Sequence, residues 1–372
     1  MICSSSPVKP DIALFLPSLA AGGAERVFVR LAHLFQQRGL HVDLLVARHD
    51  GPLRAEVPNT VRLVDLEASR PSRAIPALVR YLRQNRPKAV MSALTHTNVA
   101  LAIAHRLAKV SSRCVLSERA DLRVCLPEER TYFDRIITRL LGRLVYPWAD
   151  AIVAVSQGVA ESVVETFGLR SDRVYVIYNP IDADDIRRLS QQDEGKFPWP
   201  EGLPVVVSVG RLVPQKDHSC LINAFARLND EFPCYLAILG EGEERERLAR
   251  LIEKLGLASR VWMPGFVPNP LPWMTKASLL VLSSRWEGLP GVLLEGLALG
   301  IPIVSTDCPS GPAEVLDHGR FGTLVPPGDP EKLALAMAKV LASEVPGPHR
   351  EDALARFDPL RVVEQYCKVL GI

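Results

Sequence analysis

Along the chain, short uninterrupted apolar runs alternate with longer stretches in which apolar residues recur every three or four positions. The first run, Ile12 to Leu16, has strand length and leads through a Gly/Ala-rich loop into a predicted helix from about Ala24 to Arg38. Val27, Leu31, Leu34 and Phe35 share one face of that helix, and Gly39 supplies its stop. Val42–Ala47, Ala89–Ala93, Cys114–Leu116, Ala151–Val155 and Val174–Ile177 are further strand-length runs. Such runs belong to strands buried on both faces, so the rhythm predicts a parallel sheet covered by helices. Between Asp182 and Gly202 it breaks into charged, Gln- and Pro-containing sequence, including Phe197-Pro-Trp-Pro-Glu-Gly, as an interdomain connection would. A second series follows at Val205–Val209, Tyr235–Leu239, Val261–Met263, Leu279–Leu282 and Ile301–Ser305, and a last helix is predicted over about Pro359 to Leu370.

A length of 372 residues suits two α/β domains better than one core. With 48% apolar and 23% charged residues the balance is globular, without low-complexity tracts or a repeat period. The seven cysteines (Cys3, Cys114, Cys125, Cys220, Cys234, Cys308, Cys367) lack zinc-ligand spacing, which fits a reduced, cytoplasmic setting. Ala13 to Ala24 has the length of a signal-peptide core, but Lys9 and Asp11 precede it and a helical pattern follows at once. Ala89 to Ala104 is uncharged, yet it carries Thr95, His96, Thr97 and Asn98 and is too short to span a bilayer. The net charge of +2 hides an asymmetry: residues 1–182 carry +7 and residues 183–372 carry −5. A basic half can attract an anionic acceptor or membrane face, and it can equally be a solvated surface. It holds no nucleic-acid recognition motif and its charge is dilute, so nucleic acid is not an expected partner.

Doubly wound sheets bind ligands beyond the carboxyl ends of their strands, where loops lead into helix N-termini. Ser18-Leu-Ala-Ala-Gly22-Gly23-Ala-Glu25-Arg26 is the first such junction, and its spacing is not the dinucleotide Gly-x-Gly-x-x-Gly pattern. Its glycines allow a close ligand approach or simply a tight turn. In Gly210-Arg211-Leu-Val-Pro-Gln-Lys216-Asp217, two cations stand where a diphosphate could be neutralised, although both could also be solvated surface charges. Arg285-Trp-Glu287-Gly-Leu-Pro-Gly-Val-Leu-Leu-Glu295-Gly follows an apolar strand ending at Ser283-Ser284. Glu287 falls in the loop and Glu295 about a turn inside the next helix, with Glu295 as an ordinary helix residue the alternative. Carboxylates accept hydrogen bonds from sugar hydroxyls and helix N–H groups bind phosphate, so this segment can grip both parts of a nucleotide sugar.

Together these motifs closely resemble those of the retaining family-4 glycosyltransferases of GT-B fold, especially those that build lipopolysaccharide, O-antigen, capsule and lipid-linked oligosaccharides. The resemblance spans nearly the whole chain. Besides the segments above it includes Asn179-Pro180-Ile181-Asp182, Gly240-Glu241-Gly242, Pro264-Gly265-Phe266-Val267 and Ser310-Gly311-Pro312-Ala313-Glu314. It implies two Rossmann-like doubly wound α/β domains facing each other across a cleft: 1–182 on the acceptor side, 183–203 as connection, 204–345 for the donor, and 346–372 returning to the first domain. It further implies that Arg211 and Lys216 hold the donor diphosphate, Glu287 the donor-sugar hydroxyls and Glu295 the ribose. Backbone near Val267 would receive the base. Groups around Gly288, Leu289 and Pro290 would touch phosphates and sugar, with Gly22 and Gly23 approaching from the other domain. Many relatives carry a histidine where this chain has Ser117-Glu118-Arg119-Ala120-Asp121. His96 is the candidate replacement or a structural histidine, and Glu118 and Arg119 are candidate acceptor contacts.

The expected partners are therefore a nucleotide-diphosphate sugar, for which UDP is the expected nucleotide, and a glycan or lipid-linked acceptor, with no cofactor. Asp182-Ala183-Asp184 has the form of a metal-binding Asp-x-Asp, but it lies in the connection, and two cations already serve the leaving group. From Glu128 to Trp148, Arg135, Arg139 and Arg143 recur at four-residue steps beside Ile136, Ile137, Leu140, Leu141, Leu144 and Val145. This is the form of a basic helix lying on an anionic bilayer, or of an ordinary packed helix. A GT-B epimerase or phosphorylase, and a non-catalytic sugar-binding protein, are the rival functions.

Overall fold

The computed structural model describes residues 9–20, 22–126, 132–192, 196–342 and 350–372. The chain divides into two compact units, Met1–Pro180 with Phe357–Ile372, and Ile181–Arg356. The first contains β1 (Ile12–Leu16), β2 (Val42–Val46), β3 (Arg62–Asp65), β4 (Ala89–Ala93), β5 (Arg113–Glu118), β6 (Ala151–Ala154) and β7 (Val174–Val176). They form one parallel sheet in the order β3-β2-β1-β4-β5-β6-β7. Leu14 of β1 lies level with Leu44 and with Met91 on either side. The inner strands β1, β2 and β4 are buried at every position, as uninterrupted apolar runs require. Helix Pro359–Leu370 completes this core with Val362, Val363, Tyr366, Val369 and Leu370.

The second unit contains β8 (Val205–Val209), β9 (Tyr235–Leu239), β10 (Val261–Gly265), β11 (Leu279–Leu282), β12 (Ile303–Thr306) and β13 (Thr323–Val325), in the order β10-β9-β8-β11-β12-β13. All its pairs are parallel as well. Helices His218–Glu231 and Pro330–Ala342 bring Leu221, Ile222, Phe225, Leu333 and Met337 into its core.

Two expectations change. The strand expected over Cys114–Leu116 runs from Arg113 to Glu118, so Ser117 and Glu118 are inside the sheet and not in the loop after it. The segment expected as a connection contains the helix Ala183–Ser190, because Asp182 caps it by accepting from the backbone N–H of Asp184 and Asp185 at 3.1 and 3.0 Å. Beyond it, Trp199 stacks on Tyr235 with ring centroids 4.4 Å apart and planes 7° from parallel, which fastens that stretch to the second unit. The Asp-x-Asp side chains are engaged locally, Asp182 in the cap and Asp184 with Arg187 at 2.9 Å. No helix among the described residues is long and apolar enough to cross a membrane.

Candidate active site

In the second sheet the strand order reverses between β8 and β11, so the loops after these strands flank the point where such sheets bind ligands. The β8 loop passes close to the β9 loop: a Cβ on Gly240 would lie 1.9 Å from the carbonyl oxygen of Gly210, so a side chain there would displace backbone. The β8 and β11 loops are then tied together. Arg285 N donates to Gln215 O at 2.8 Å, Gln215 Nε2 to Trp286 O at 2.9 Å, and Arg285 Nε to Asp217 Oδ2 at 2.8 Å.

These ties bring Lys216 Nζ within 2.5 Å of Glu287 Oε1. Ser284 Oγ donates to the same oxygen at 2.6 Å, and Thr306 Oγ1 donates to Ser284 O at 2.6 Å. The lysine and glutamate side chains are only 16% and 8% exposed, so each is the other's main counter-charge in a largely dry place. A third loop backs the arrangement. Glu287 N donates to Pro309 O at 3.3 Å, and a Cβ on Gly311, which sits at φ +96°, would meet Gly288 O and Pro290 Cδ at 2.7 Å. Gly288, Leu289 and Pro290 are buried beneath it, and Pro290 precedes helix Gly291–Leu299, on which Glu295 is half-buried. Arg211 is exposed just after Gly210, and Val267 is half-buried two residues beyond β10.

Sequence reading assigned no role to the supporting residues Ser284, Thr306, Asp217, His218 and Cys308, whose short polar or ambiguous side chains carry no signal until folding gathers them. His218 is 3% exposed, and burial together with the nearby Lys216 charge lowers its imidazole to about 4. Burial, reinforced by Glu287, raises the Cys308 thiol to about 12.

In the first sheet the order reverses between β1 and β4. Gly22 and Gly23 begin the helix after β1, and His96 is exposed in the first turn of helix Thr95–Ala108 after β4. A Cβ on Gly22 would lie 2.2 Å from Glu25 Oε2, whereas one on Gly23 would meet nothing within 4 Å. Glu118 needs a correction. It is 1% exposed and accepts from Asn98 Nδ2 at 2.9 Å, from Thr95 Oγ1 at 3.2 Å and from the Tyr146 hydroxyl, while burial pushes its carboxyl up. A carboxylate so enclosed belongs to the framework under the site and does not meet an acceptor. Arg119, one residue on, is half-buried at the strand end.

Two doubly wound parallel sheets in tandem are the architecture of the GT-B class of sugar-transferring proteins. Residues 21–185 match the profile described as "Glycosyltransferase Family 4", and residues 190–355 the profile described as "Glycosyl transferases group 1". The chain is 31% identical over 327 residues, 84% of its length and 85% of the relative's, to an N-acetylgalactosaminyltransferase of Campylobacter jejuni acting on a diphospho-undecaprenol-linked substrate. It is 29% identical to the lipopolysaccharide core biosynthesis glycosyltransferase LpsE of Rhizobium meliloti, over 94% of this chain and 96% of LpsE. Anabaena HepE, solved with UDP and glucose, has the same fold with a TM-score of 0.76 at 22% identity, covering 97% of this chain and 99% of HepE. The chain belongs to glycosyltransferase family 4 and is a glycosyltransferase.

Two outcomes follow from the buried charges. Lys216→Met strands the Glu287 carboxylate and lowers the stability of the second unit by about 3–5 kcal/mol, whereas Lys216→Met with Glu287→Met recovers most of that loss; urea denaturation of the single and double variants checks this. The folded-state imidazole of His218 lies below its ordinary value of 6.5. The unfolded chain therefore binds the extra proton between pH 6.5 and about 4, so stability is complete above 6.5 and falls as pH is lowered through that window. Thermal melts of wild type against His218→Gln test this, with a flatter profile expected for the variant.

Proposed function

We propose that this enzyme transfers a hexose or an N-acetylhexosamine, with retention of anomeric configuration, from a UDP-linked donor to a glycan or lipid-linked glycan acceptor in cell-envelope polysaccharide synthesis. The observation that carries the reading is the buried Lys216–Glu287 pair at the switch point of the second sheet. An arriving diphosphate takes Lys216 as its counter-charge, with Arg211 alongside, and frees the Glu287 carboxylate to accept from the sugar hydroxyls. Glu295 receives the ribose hydroxyls, backbone beside Val267 the base, and the Gly288–Pro290 turn the sugar and phosphates. The bond from the anomeric carbon to the diphosphate breaks, the acceptor oxygen bonds on the same face, and its proton leaves with the diphosphate. Arg211 and Lys216 stabilise the departing charge, so the reaction needs no metal ion. His96 and Arg119 meet the donor sugar and the acceptor phosphate, with Gly22 and Gly23 beside them. The names of the Campylobacter and Rhizobium relatives, and of HepE with its UDP and glucose, support the donor and acceptor classes.

Contact with an anionic, cytoplasmic-side membrane surface is part of the same proposal. Helix Tyr132–Val145 turns Thr138, Gly142 and Val145 inward, where a Cβ on Gly142 would lie 2.1 Å from the Phe167 ring. Five apolar residues face out instead: Leu140 and Leu144 are each 59% exposed, with Ile136, Ile137 and Leu141 also exposed and Arg139 and Arg143 beside them. An apolar stripe bordered by arginines suits the headgroup boundary of an anionic bilayer. Residues 128–131 of the expected helix lie outside the described residues.

Incubation with a panel of nucleotide sugars and a membrane lipid extract, in the presence of EDTA, should release nucleotide diphosphate and extend a glycan with one donor. Glu287→Ala should slow this by about 100-fold or more. Transfer that collapses in EDTA contradicts the metal-free reading, and a free isomerised sugar without an extended glycan points to an epimerase. For the membrane contact, Leu140→Glu with Leu144→Glu should abolish flotation with phosphatidylglycerol-rich vesicles. Flotation equal to wild type would place the contact elsewhere.

A further inference from the structure

Arg119 is held by residues from two helices far apart in sequence. Its guanidinium carbon lies 5.5 Å from the centroid of the Phe28 ring, and Nη1 donates to the Tyr366 hydroxyl at 3.5 Å. Phe28 is on helix Gly23–Gln37 and Tyr366 on helix Pro359–Leu370, and both are fully buried. The Tyr366 ring is itself set edge-on to Phe35, with centroids 6.2 Å apart and planes 85° apart. Arg119 Nη2 is buried and has no hydrogen-bond partner among the described residues. Burial holds the Arg119 guanidinium below its usual value, with Tyr366, Glu25 and Glu118 opposing that shift.

A buried guanidinium N–H without a partner costs stability, and so does a phenol hydroxyl placed inside an apolar core where phenylalanine would pack equally well. Packing therefore explains neither group; the Tyr366 hydroxyl, which also neighbours Ser117, and the Phe28 ring both meet the Arg119 cation at the carboxyl end of β5. That end faces the ligand side of the sheet.

We propose that Tyr366 and Phe28 are positioning residues that fix the Arg119 guanidinium for the acceptor phosphate, so that the C-terminal helix Pro359–Leu370 takes part in acceptor recognition as well as in the core. This rests on the reading above that Arg119 meets that phosphate. A long arginine loses much rotamer freedom when it grips an anion, and a hydroxyl and a ring that hold it beforehand remove part of that cost. The effect falls on acceptor binding and leaves the rate at saturation alone.

Steady-state transfer with the membrane lipid extract titrated as acceptor tests this. Tyr366→Phe keeps the ring and its edge contact with Phe35, and Phe28→Leu removes the cation–ring contact while keeping an apolar filler. Each should raise the apparent acceptor KM about fivefold with kcat nearly constant, the size of one modest hydrogen bond or cation–π contact. Neither should add to the loss caused by Arg119→Ala, because all three act through one group. A raised KM in Arg119→Ala with wild-type KM in Tyr366→Phe and Phe28→Leu overturns the positioning role alone. A wild-type acceptor KM in Arg119→Ala overturns the phosphate contact beneath it.

Discussion

The second unit is organised around two opposite charges that have left water together. Lys216 and Glu287 are separated by 71 positions in sequence and approach to 2.5 Å, each largely buried. Desolvating either one alone would be costly, so the loops that carry them must hold the pair in register. That requirement accounts for the density of ties nearby: the backbone bond from Arg285 to Gln215, the Asp217–Arg285 ion pair, and the Ser284 and Thr306 hydroxyls behind the carboxylate. It also accounts for glycine where one loop passes another, at Gly240 and Gly311. A buried pair of this kind is neutral by itself, and under the function proposed above it exchanges its internal partner for contacts with a diphosphate and a sugar.

The first unit solves a different problem with a different kind of polar network. Glu118, Asn98, Thr95, Ser92 and Tyr146 form a closed set of hydrogen bonds under the strand ends, with Ser92 Oγ donating to Asn98 Oδ1 at 2.7 Å. Asp43, inside an otherwise apolar strand, is matched by Arg62 and Tyr81 in the same spirit. The first network ties the ends of β4 and β5 together, and the second ties β2 to β3 and to helix Ile75–Asn85. The residues just past these strands, His96 and Arg119, are the ones proposed above to meet ligands.

The inner strands were legible because a strand buried on both faces has no polar position to spare, so Ile12–Leu16 or Val205–Val209 can hardly be anything else. Of the four edge strands, β7 and β10 were legible and β3 and β13 were not. Arg62–Asp65 carries exposed charge at both ends and makes no apolar run. The helix Ala183–Ser190 was hidden by its polar composition, and its decisive signal was the cap at Asp182, which reads equally well as half of a metal motif. For helix Tyr132–Val145 the period was right, but periodicity does not say which face turns inward. The small residues Thr138 and Gly142 went in, and the leucines stayed out.

By itself the sequence determined the class of fold and the two-sheet organisation, and it singled out Arg211, Lys216, Glu287 and Glu295 as candidates, because strand periods and loop motifs are local in the chain. The tertiary structure decided which of those residues meet. It joined Lys216 to Glu287, drew Glu118 into the framework, and put Tyr366 beside Arg119 across 247 positions. Hydrophobic pattern is a property of neighbours in sequence, whereas the pairing of buried charges depends on where loops from distant strands converge, and only the folded sheet specifies that.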